Sequence, residues 1–190
     1  MKVYVIDNGG QWTHREWRVI RDLGAESAII PNTTSSQKLK DADGVVLSGG
    51  APSIVNELGK LGVISEYVRD LTIPILGICV GAQFIALSLG GRVGPGKVPE
   101  YGKTEVHVTL KDGILSGIPD SITVWESHND EIKDLPPELI LQASSANCRI
   151  QAFRHSKRPV FGVQFHPEVN DTEKGTEIFA NFLSVCRGGP

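Results

Sequence analysis

The sequence predicts an α/β fold with a mostly parallel central sheet, helices on both faces and a β-rich C-terminal half. Two observations predict it. Up to Gly90, short apolar runs alternate with stretches of helical spacing, as in βαβ units. After Gly91, the apolar runs are short and are separated by turns rich in Gly, Pro and Asn. Because no repeat, linker or low-complexity segment divides the 190 residues, we expect a single domain over residues 1–190.

Local signals predict each element of the first half. The first strand, at 2–6, is apolar and ends before Gly9 and Gly10. The helix predicted at 12–23 has an apolar face, and Gly24 stands where a helix C-cap is expected. Further strands are predicted at 27–30, 44–47 and 73–78, and further helices at 35–42, 61–71 and 81–89.

The second half is predicted from patterns of period two. Residues 103–110 alternate, with Val106 and Val108 on one side and Glu105 and His107 on the other. Further short strands are predicted at 122–125, 139–141, 151–153 and 160–165, and a final helix at 172–185.

Composition and charge argue against several classes of protein. The formal net charge is -3, with no long run of Lys or Arg, which argues against binding to nucleic acid or to an anionic membrane. No apolar stretch approaches the roughly 20 residues of a membrane span, and Asp7 interrupts the first apolar run, unlike a signal peptide. The three cysteines, Cys79, Cys148 and Cys186, include no CxxC, so neither a disulfide framework nor a zinc ribbon is expected. We therefore expect a cytoplasmic protein with free thiols.

Cys79 is the candidate nucleophile. It lies between Gly77 and Gly81, at the junction of a predicted strand and a predicted helix, in a G-x-nucleophile-x-G elbow with Cys in place of Ser. The glycines allow a sharp turn that presents the side chain at the carboxyl edge of the sheet. The helix N-terminus stabilises a thiolate, and the Val80 N–H can donate to an oxyanion. A lone Cys is more often structural, but here strand, glycines and helix coincide.

His166 is the candidate base among the five histidines. It directly follows the apolar strand at 160–165, and Pro167 stiffens the turn after it. Glu168, two residues later, can orient the imidazole and stabilise its charged form. Without the cysteine elbow, an unrelated loop His beside a Glu would be the simpler interpretation.

The segment Ser48-Gly49-Gly50 is the candidate for a second oxyanion donor. It ends the strand predicted at 44–47, and glycines let backbone N–H groups converge on an anion. A phosphate loop is the alternative, but the pattern GxxxxGK[ST] does not occur in the sequence. We expect the N–H of Gly50 to act together with that of Val80. No cluster of metal ligands is apparent, so neither metal nor cofactor is expected for the step at Cys79.

Together these motifs resemble the class I (triad) glutamine amidotransferases, in the same order along the chain. The segments that carry the resemblance are Gly77-Ile78-Cys79-Val80-Gly81-Ala82-Gln83, Phe165-His166-Pro167-Glu168 and Ser48-Gly49-Gly50. The resemblance covers nearly the whole chain and implies a flavodoxin-like class I glutamine amidotransferase fold. It also implies hydrolysis of L-glutamine through a thioester. The residues that it places around the substrate or at the rim of the site are Gln83, Ser127, His128, Asn129 and Asp130.

Further segments are similar to the glutaminases of GMP synthesis. They are Asp7-Asn8-Gly9-Gly10-Gln11-Trp12, Tyr101-Gly102-Lys103 and Val124-Trp125-Glu126-Ser127-His128-Asn129-Asp130. The phosphate loop Ser-Gly-Gly-x-Asp-Ser of an ATP pyrophosphatase does not occur in the chain. The resemblance therefore implies a separate glutaminase subunit whose partner is the ATP pyrophosphatase subunit, with ATP and Mg bound on that partner. Because ammonia made without a partner would waste glutamine, we also expect low activity alone and activation on docking.

Three alternatives stay open. The chain could serve another synthase, such as those that make anthranilate or carbamoyl phosphate. It could be another cysteine hydrolase of similar fold, for example a γ-glutamyl peptidase. A non-catalytic regulatory relative is the third alternative, although such a protein would be expected to lack a triad member, whereas Cys79, His166 and Glu168 are all present.

Overall fold

The computed structural model describes residues 1–189, apart from the side chain of residue 55. Nine strands form one sheet: β1 (Lys2–Asp7), β2 (Glu26–Pro31), β3 (Gly44–Leu47), β4 (Ile75–Ile78), β5 (Arg92–Val108), β6 (Ser121–Asp134), β7 (Leu139–Ser145), β8 (Ala152–His155) and β9 (Val160–Val163). The α-helices of this part of the chain are α1 (Thr13–Asp22), α2 (Ile54–Glu57), α3 (Ile64–Asp70), α4 (Val80–Ser88) and α5 (Gly175–Cys186).

The sheet has a parallel part and an antiparallel part. Its order is β2-β1-β3-β4-β9-β8-β7-β5-β6. The first five strands of this order pair in parallel, and their arrangement is the 2-1-3-4-5 order of flavodoxin-like folds, with β9 as the fifth strand. The other four strands extend the sheet by antiparallel pairing. The predicted α/β, flavodoxin-like fold with a β-rich second half is confirmed.

Two apolar layers pack the helices against opposite faces of the parallel strands. Val3 and Val5 of β1 belong to the layer that includes Ile20 of α1 and Phe182 of α5. Ile6, on the other side of the same strand, belongs to the layer that includes residues of α3 and α4. Alternation along a strand therefore distributes the helices over both faces, and it leaves the carboxyl ends of β3, β4 and β9 at one common edge.

Two predicted helices are shorter in the structure. The stretch predicted at 35–42 forms only a 3-10 turn, Ser36–Leu39, and Ser35 makes no capping hydrogen bond there. The stretch predicted at 61–71 is helical only over α3, because Gly62 has φ 59°, which interrupts the helix and separates it from a 3-10 turn at Leu58–Leu61.

The largest difference is a long antiparallel pair, β5 and β6, in which β5 has 17 residues and β6 has 14. The sequence pattern begins the first strand at 103 and ends the second at 125. Gly94, Pro95 and Pro99, which are typical of a turn, precede 103 and mask the start of β5. In the structure the register shifts between Pro95 and Glu100, and prolines are tolerated at such irregularities. Residues 127–130 therefore lie in a strand.

Within residues 1–189, no helix is long and apolar enough to cross a membrane. The longest helix, α5, has 12 residues, which is well below the roughly 20 that a span requires.

Candidate active site

Cys79 lies at the sharp turn between β4 and α4. Its backbone has φ 50° and ψ −111°, and of the non-glycine residues that the structure describes only Lys174 also has a positive φ. A non-glycine residue held in such a conformation costs about 1–3 kcal/mol. The turn is fixed because the Cys79 N–H donates to the Val163 carbonyl at 2.8 Å and its own carbonyl accepts the Gln83 N–H at 3.0 Å. The strained turn predicted for the elbow is present.

The two glycines of the elbow leave no room for a Cβ atom. A Cβ on Gly77 would lie 2.7 Å from both the Ala82 nitrogen and the Gly81 carbonyl carbon. A Cβ on Gly81 would overlap the carbonyl oxygen of Leu47, in the neighbouring strand β3. The G-x-C-x-G spacing therefore reflects two close backbone approaches, one between β4 and α4 and one between α4 and β3.

Replacing Gly81 by alanine is expected to destabilise the fold by about 1–3 kcal/mol, because the new methyl group forces α4 away from β3. The measurement is the free energy of unfolding in urea. Gly59→Ala is the matched control, since a Cβ there meets no atom within 4 Å and its φ is not positive. Equal stability of the Gly81 and Gly59 variants would contradict the packing argument.

His166 and Glu168 form a buried pair beside Cys79. The Nδ1–H of His166 donates to Oε1 of Glu168 at 2.7 Å, and the exposed fractions of the two residues are only 4% and 3%. The backbone around His166 is anchored as well: its N–H donates to the Trp125 carbonyl at 2.9 Å, and its carbonyl accepts the Thr172 hydroxyl at 2.7 Å. Because Glu168 occupies Nδ1, the other ring nitrogen, Nε2, is the one left to accept the thiol proton.

The electrostatic surroundings favour the charged form of His166. Burial opposes a positive charge, but the carboxylate of Glu168 and the hydrogen bond to Cys79 outweigh it and raise the pKa of His166 well above its ordinary value. The site therefore stabilises an imidazolium next to a sulfur nucleophile, which is the charge arrangement that an activated cysteine requires.

The loop Ser48-Gly49-Gly50 passes directly over the pair. A Cβ on Gly49 would lie 2.8 Å from Cε1 of His166 and 3.8 Å from Cβ of Cys79. A Cβ on Gly50 would lie 3.0 Å from Cγ1 of Val80. The loop thus places Gly50 against the side chain of Val80, and the convergence of their two N–H groups on an oxyanion stays a prediction.

The opening segment of the chain holds this loop in place. The Ser48 hydroxyl accepts the Asn8 N–H at 3.0 Å and donates to the Gly49 carbonyl at 2.8 Å. The Asn8 side-chain amide donates to the Ser48 carbonyl at 2.8 Å. Gly10 has no room for a Cβ because the Gly49 carbonyl lies against it. The motif at residues 7–12 therefore holds the glycine loop in position through Asn8 and Gly10.

A cavity of about 500 Å³ opens over Cys79. Its size suits a small ligand such as an amino acid. Glu168 lies behind His166 and does not line it. The predicted site residues that do line it are Gly50, Cys79, Val80, Gln83, Ser127, His128, Asn129, Asp130 and His166.

A pair of buried amides links the cavity wall to the nucleophile. Gln83 donates through Nε2 to the Asp130 carbonyl at 2.6 Å and to Oε1 of Gln164 at 3.1 Å. Gln164 in turn donates through Nε2 to Sγ of Cys79 at 3.6 Å. Because both hydrogens of the Gln83 amide are used, only its carbonyl oxygen remains for a ligand.

His128 lines the cavity, but its side chain is only 2% exposed and both ring nitrogens are engaged. Nδ1 lies 3.1 Å from the Asp130 carbonyl, while Nε2 lies 3.1 Å from Oε2 of Glu100 and 3.2 Å from Oε2 of Glu126. Glu126 and His128 are two residues apart in β6, and both face the interior. The ring therefore anchors the strand from inside, and a role for His128 towards the substrate or a partner stays a prediction.

The imidazole of His128 is expected to stay charged far above neutral pH. Burial lowers its pKa, but Glu100 and Glu126 outweigh burial and raise it to about 10. Its stabilising contribution is thus complete below the ordinary value of 6.5 and is lost as the pH rises through about 10. An NMR titration of the ring is expected to show a midpoint near that value, and Glu126→Gln should lower it, whereas Glu105→Gln, which changes a remote carboxylate, should not. A wild-type midpoint near 6.5 would contradict this account.

The same cluster holds the candidate metal ligands of the described chain. Ligand atoms of Glu100, His128 and Cys148 lie within 4.8 Å of one another, and all three residues are buried. Hydrogen bonds already use them: Glu100 accepts Gln151 Nε2 at 3.1 Å and the Ser145 hydroxyl at 3.2 Å. The Cys148 thiol lies 3.5 Å from the Ile150 carbonyl. These contacts account for the cluster as a structural polar core.

Among the residues around the cavity that were not predicted as site residues, four have side chains that bear on the site. Trp12 packs edge-on against His166 with ring centroids 4.5 Å apart, and Tyr101 lines the cavity while it is 64% exposed. Gln164 reaches Cys79, and Glu16 lines the cavity from α1. Trp12, Tyr101 and Gln164 lie in or beside segments that carry the family resemblance. Only Glu16 could have been found from the sequence without the family resemblance, because it is a charged residue on the apolar face of a helix.

Known proteins resemble this chain both in sequence and in fold. The family model for glutamine amidotransferase class-I matches residues 4–186. The chain is 60% identical to a glutamine-hydrolysing GMP synthase subunit of Picrophilus torridus over 98% of this chain and all of the relative. It is 56% identical to the corresponding GMP synthase subunit of Thermoplasma volcanium over 98% of this chain and 93% of the relative.

Two solved structures have a similar fold. A crystal structure of a protein assigned as the same GMP synthase subunit in Thermoplasma acidophilum matches with a TM-score of 0.95 at 55% identity, over 99% of this chain and 94% of that one. A glutamine amidotransferase of Thermotoga maritima matches with a TM-score of 0.78 at 22% identity, over 99% and 83%, and supports the fold alone. With its elbow, His–Glu pair and glycine loop, the chain belongs to the class-I glutamine amidotransferase family.

Proposed function

We propose that this chain is the glutaminase subunit of a two-subunit GMP synthase. It hydrolyses L-glutamine to glutamate and ammonia at Cys79, and a separate ATP pyrophosphatase subunit uses the ammonia to convert XMP to GMP. The observation that carries the proposal is a buried Cys–His–Glu constellation in a chain that is 60% identical to a relative named as a glutamine-hydrolysing GMP synthase subunit.

The first half of the reaction forms a thioester. His166 takes the proton of the Cys79 thiol, and the sulfur attacks the carbon of the glutamine side-chain amide. A C–S bond forms, and the carbonyl electron pair moves to the oxygen, which accepts hydrogen bonds from the N–H groups of Gly50 and Val80. When the tetrahedral intermediate collapses, the C–N bond breaks and His166 returns its proton to the nitrogen. Ammonia leaves, and a γ-glutamyl thioester remains.

The second half of the reaction restores the thiol. A water molecule gives a proton to His166 as its oxygen attacks the thioester carbon. The same two N–H groups hold the second oxyanion. Glutamate is released when the C–S bond breaks, and the sulfur regains its proton from His166. Throughout both halves, Glu168 holds Nδ1 of His166 and stabilises its positive charge.

The polar groups around the cavity supply the remaining requirements of an amino acid substrate. Gln83, Ser127 and Asn129 line the same cavity as Cys79, and the Gln83 amide has its carbonyl oxygen left for a ligand. These groups would hold the α-amino and α-carboxylate ends, so that the side-chain amide reaches the sulfur.

The ammonia acceptor is proposed to dock at the mouth of the cavity. Tyr101 lines the cavity and is 64% exposed, and Val98 in the same strand is 52% exposed. Exposed apolar and aromatic side chains of this kind favour a surface that another protein covers. The proposed complex is a cytoplasmic heterodimer in which ATP and Mg²⁺ bind on the synthetase subunit. Because ammonia released without an acceptor wastes glutamine, we expect low activity in the isolated chain.

A reconstitution experiment tests this function. Ammonia release from glutamine is measured for the chain alone, with the ATP pyrophosphatase subunit, and with that subunit plus XMP and ATP. We expect low release alone and a marked rise in the complete mixture, together with GMP formation. The synthetase supplied with ammonium salt and no glutaminase is the control for its own activity. Activation by an anthranilate-forming or carbamoyl-phosphate-forming synthase instead would contradict the assignment.

A further inference from the structure

Glu16 occupies a position where the helix pattern calls for an apolar residue. The buried residues of α1 are Thr13, Glu16 and Ile20, which share one face of the helix. Glu16 is only 1% exposed. Burial of a carboxyl group is unfavourable unless something compensates it, so its surroundings show what the group does.

The carboxyl group of Glu16 reaches the glycine loop. Its Oε1 accepts the Gly49 N–H at 3.2 Å. Its Oε2 is buried and has no hydrogen-bond partner among residues 1–189. Glu16 also lines the cavity with Cys79 and His166, so this buried residue belongs to the wall of the site.

Glu16 complements the other anchors of the loop. Asn8 binds both the hydroxyl and the carbonyl of Ser48, the first residue of the loop. The Gly49 carbonyl accepts the Ser48 hydroxyl. Glu16 accepts the Gly49 N–H, which directly follows the Ser48 carbonyl along the backbone. With both polar groups of Gly49 engaged, the backbone orientation that leads into Gly50 is fixed.

The electrostatic surroundings of Glu16 favour its neutral form. Burial, followed by the negative charge of Glu168, raises the pKa of Glu16 well above the usual range, and the Gly49 hydrogen bond and His166 only partly oppose this. A neutral carboxyl group still accepts a hydrogen bond through its carbonyl oxygen. A glutamine side chain at this position therefore has the same shape and the same acceptor.

We propose that Glu16 is a positioning residue of the amidase reaction, which holds the Gly49 N–H so that the Gly50 N–H faces the oxyanion formed at Cys79. The proposal rests on the glutaminase function proposed above. It assigns to Glu16 a role in the stabilisation of the transition state and none in the activation of the thiol.

Two conservative substitutions separate the reach of the side chain from its ability to ionise. Glu16→Gln keeps the length and the acceptor but cannot ionise. Glu16→Asp keeps the carboxyl group but is one methylene too short to reach Gly49. In the complete mixture of synthetase subunit, XMP and ATP, we expect Glu16→Gln to keep kcat within about threefold. We expect Glu16→Asp to lower kcat by about tenfold or more with KM for glutamine within about threefold, since a displacement of about 1 Å at a reacting group has a large effect on rate.

The rate of Cys79 alkylation distinguishes a defect in oxyanion stabilisation from a general structural defect, because only a general defect would change that rate. Iodoacetamide reacts with the sulfur at a saturated carbon, so the reaction needs the thiolate but forms no oxyanion. We therefore expect the rate of Cys79 alkylation in Glu16→Asp, followed by peptide mass spectrometry, to stay within about threefold of wild type while kcat falls. Asp22→Asn, at the exposed end of the same helix, is the matched control for both measurements.

The outcomes distinguish this inference from the function on which it rests. A wild-type kcat in Glu16→Asp, or an equal loss in Glu16→Gln and Glu16→Asp, would overturn the role of Glu16 and leave the glutaminase function standing. Slower alkylation in proportion to kcat would also overturn it, because the defect would then lie in the thiol. Absence of ammonia release by the wild-type mixture would overturn both. If Glu16→Asp does not fold, Glu16→Met takes its place with the same expectation, since methionine fills a similar volume without an acceptor.

Discussion

Replacement of Cys79 by alanine is expected to reduce glutamine hydrolysis to the uncatalysed background, with the fold intact. The sulfur is the only atom at the turn between β4 and α4 that can form the acyl intermediate, and neighbouring groups cannot substitute for it. The backbone of Cys79 is strained, with φ 50°, but hydrogen bonds of the backbone itself fix the turn. Loss of the sulfur atom therefore leaves the turn in place. The measurement is ammonia release in the complete mixture, with the unfolding temperature recorded for each protein.

Cys186→Ala is the matched control for that substitution. Cys186 is half-buried beside Gly44, at the start of β3, whereas the glycine loop follows the other end of the same strand. Burial raises the pKa of the Cys186 thiol to about 12, so this cysteine is not a candidate nucleophile near neutral pH. The control should retain wild-type activity. Measurable turnover by Cys79→Ala above the background of the buffer would contradict the covalent mechanism.

Substitution of His166 by asparagine is expected to lower kcat by roughly 10³-fold or more, because the thiol, the leaving nitrogen and the attacking water all lose their proton carrier. Asparagine retains a polar side chain of similar breadth but cannot accept and return a proton. The substitution also leaves the buried Glu168 without its partner, so a lower unfolding temperature is expected. Activity must therefore be measured well below that temperature.

Glu168→Gln serves as the companion to the His166 variant. The amide of glutamine can still contact the imidazole, but it no longer stabilises a positive charge. Since Glu168 is the leading cause that raises the pKa of His166, this variant should lower that pKa and give an activity between those of the wild type and His166→Asn. A loss smaller than tenfold in His166→Asn would show that another group moves the proton.

Patterns that depend on near neighbours in the chain predicted most of the fold and the centre of the site. The elbow at Cys79 could be predicted because its glycines, strand and helix are contiguous, and the structure shows the two close approaches that exclude a Cβ. His166 and Glu168 are only two residues apart, so their pairing was also predictable from near neighbours. The parallel half of the sheet followed from alternation of strands and helices.

The features that sequence reasoning missed depend on contacts between distant segments. The length of β5 was underestimated because Pro95 and Pro99 are turn signals in isolation, whereas their tolerance in a strand depends on a register shift against β6. The buried contact of the His128 ring with Glu100 spans 28 positions and has no local signature. The contact of Glu16 with Gly49 spans 33 positions and has no local signature beyond a misplaced charge.

The central claim, covalent catalysis at Cys79, is tested most directly by detection of the acyl intermediate. The chain is mixed with its synthetase partner, XMP, ATP and glutamine, and the reaction is quenched in acid during steady turnover. Peptide mass spectrometry is then used to find which cysteine carries a glutamyl group. We expect the adduct on Cys79 alone, and its accumulation in a variant such as Glu168→Gln if that variant slows hydrolysis more than acylation. Turnover of glutamine with no glutamyl group on Cys79, or with the group on Cys148 or Cys186, would contradict the account.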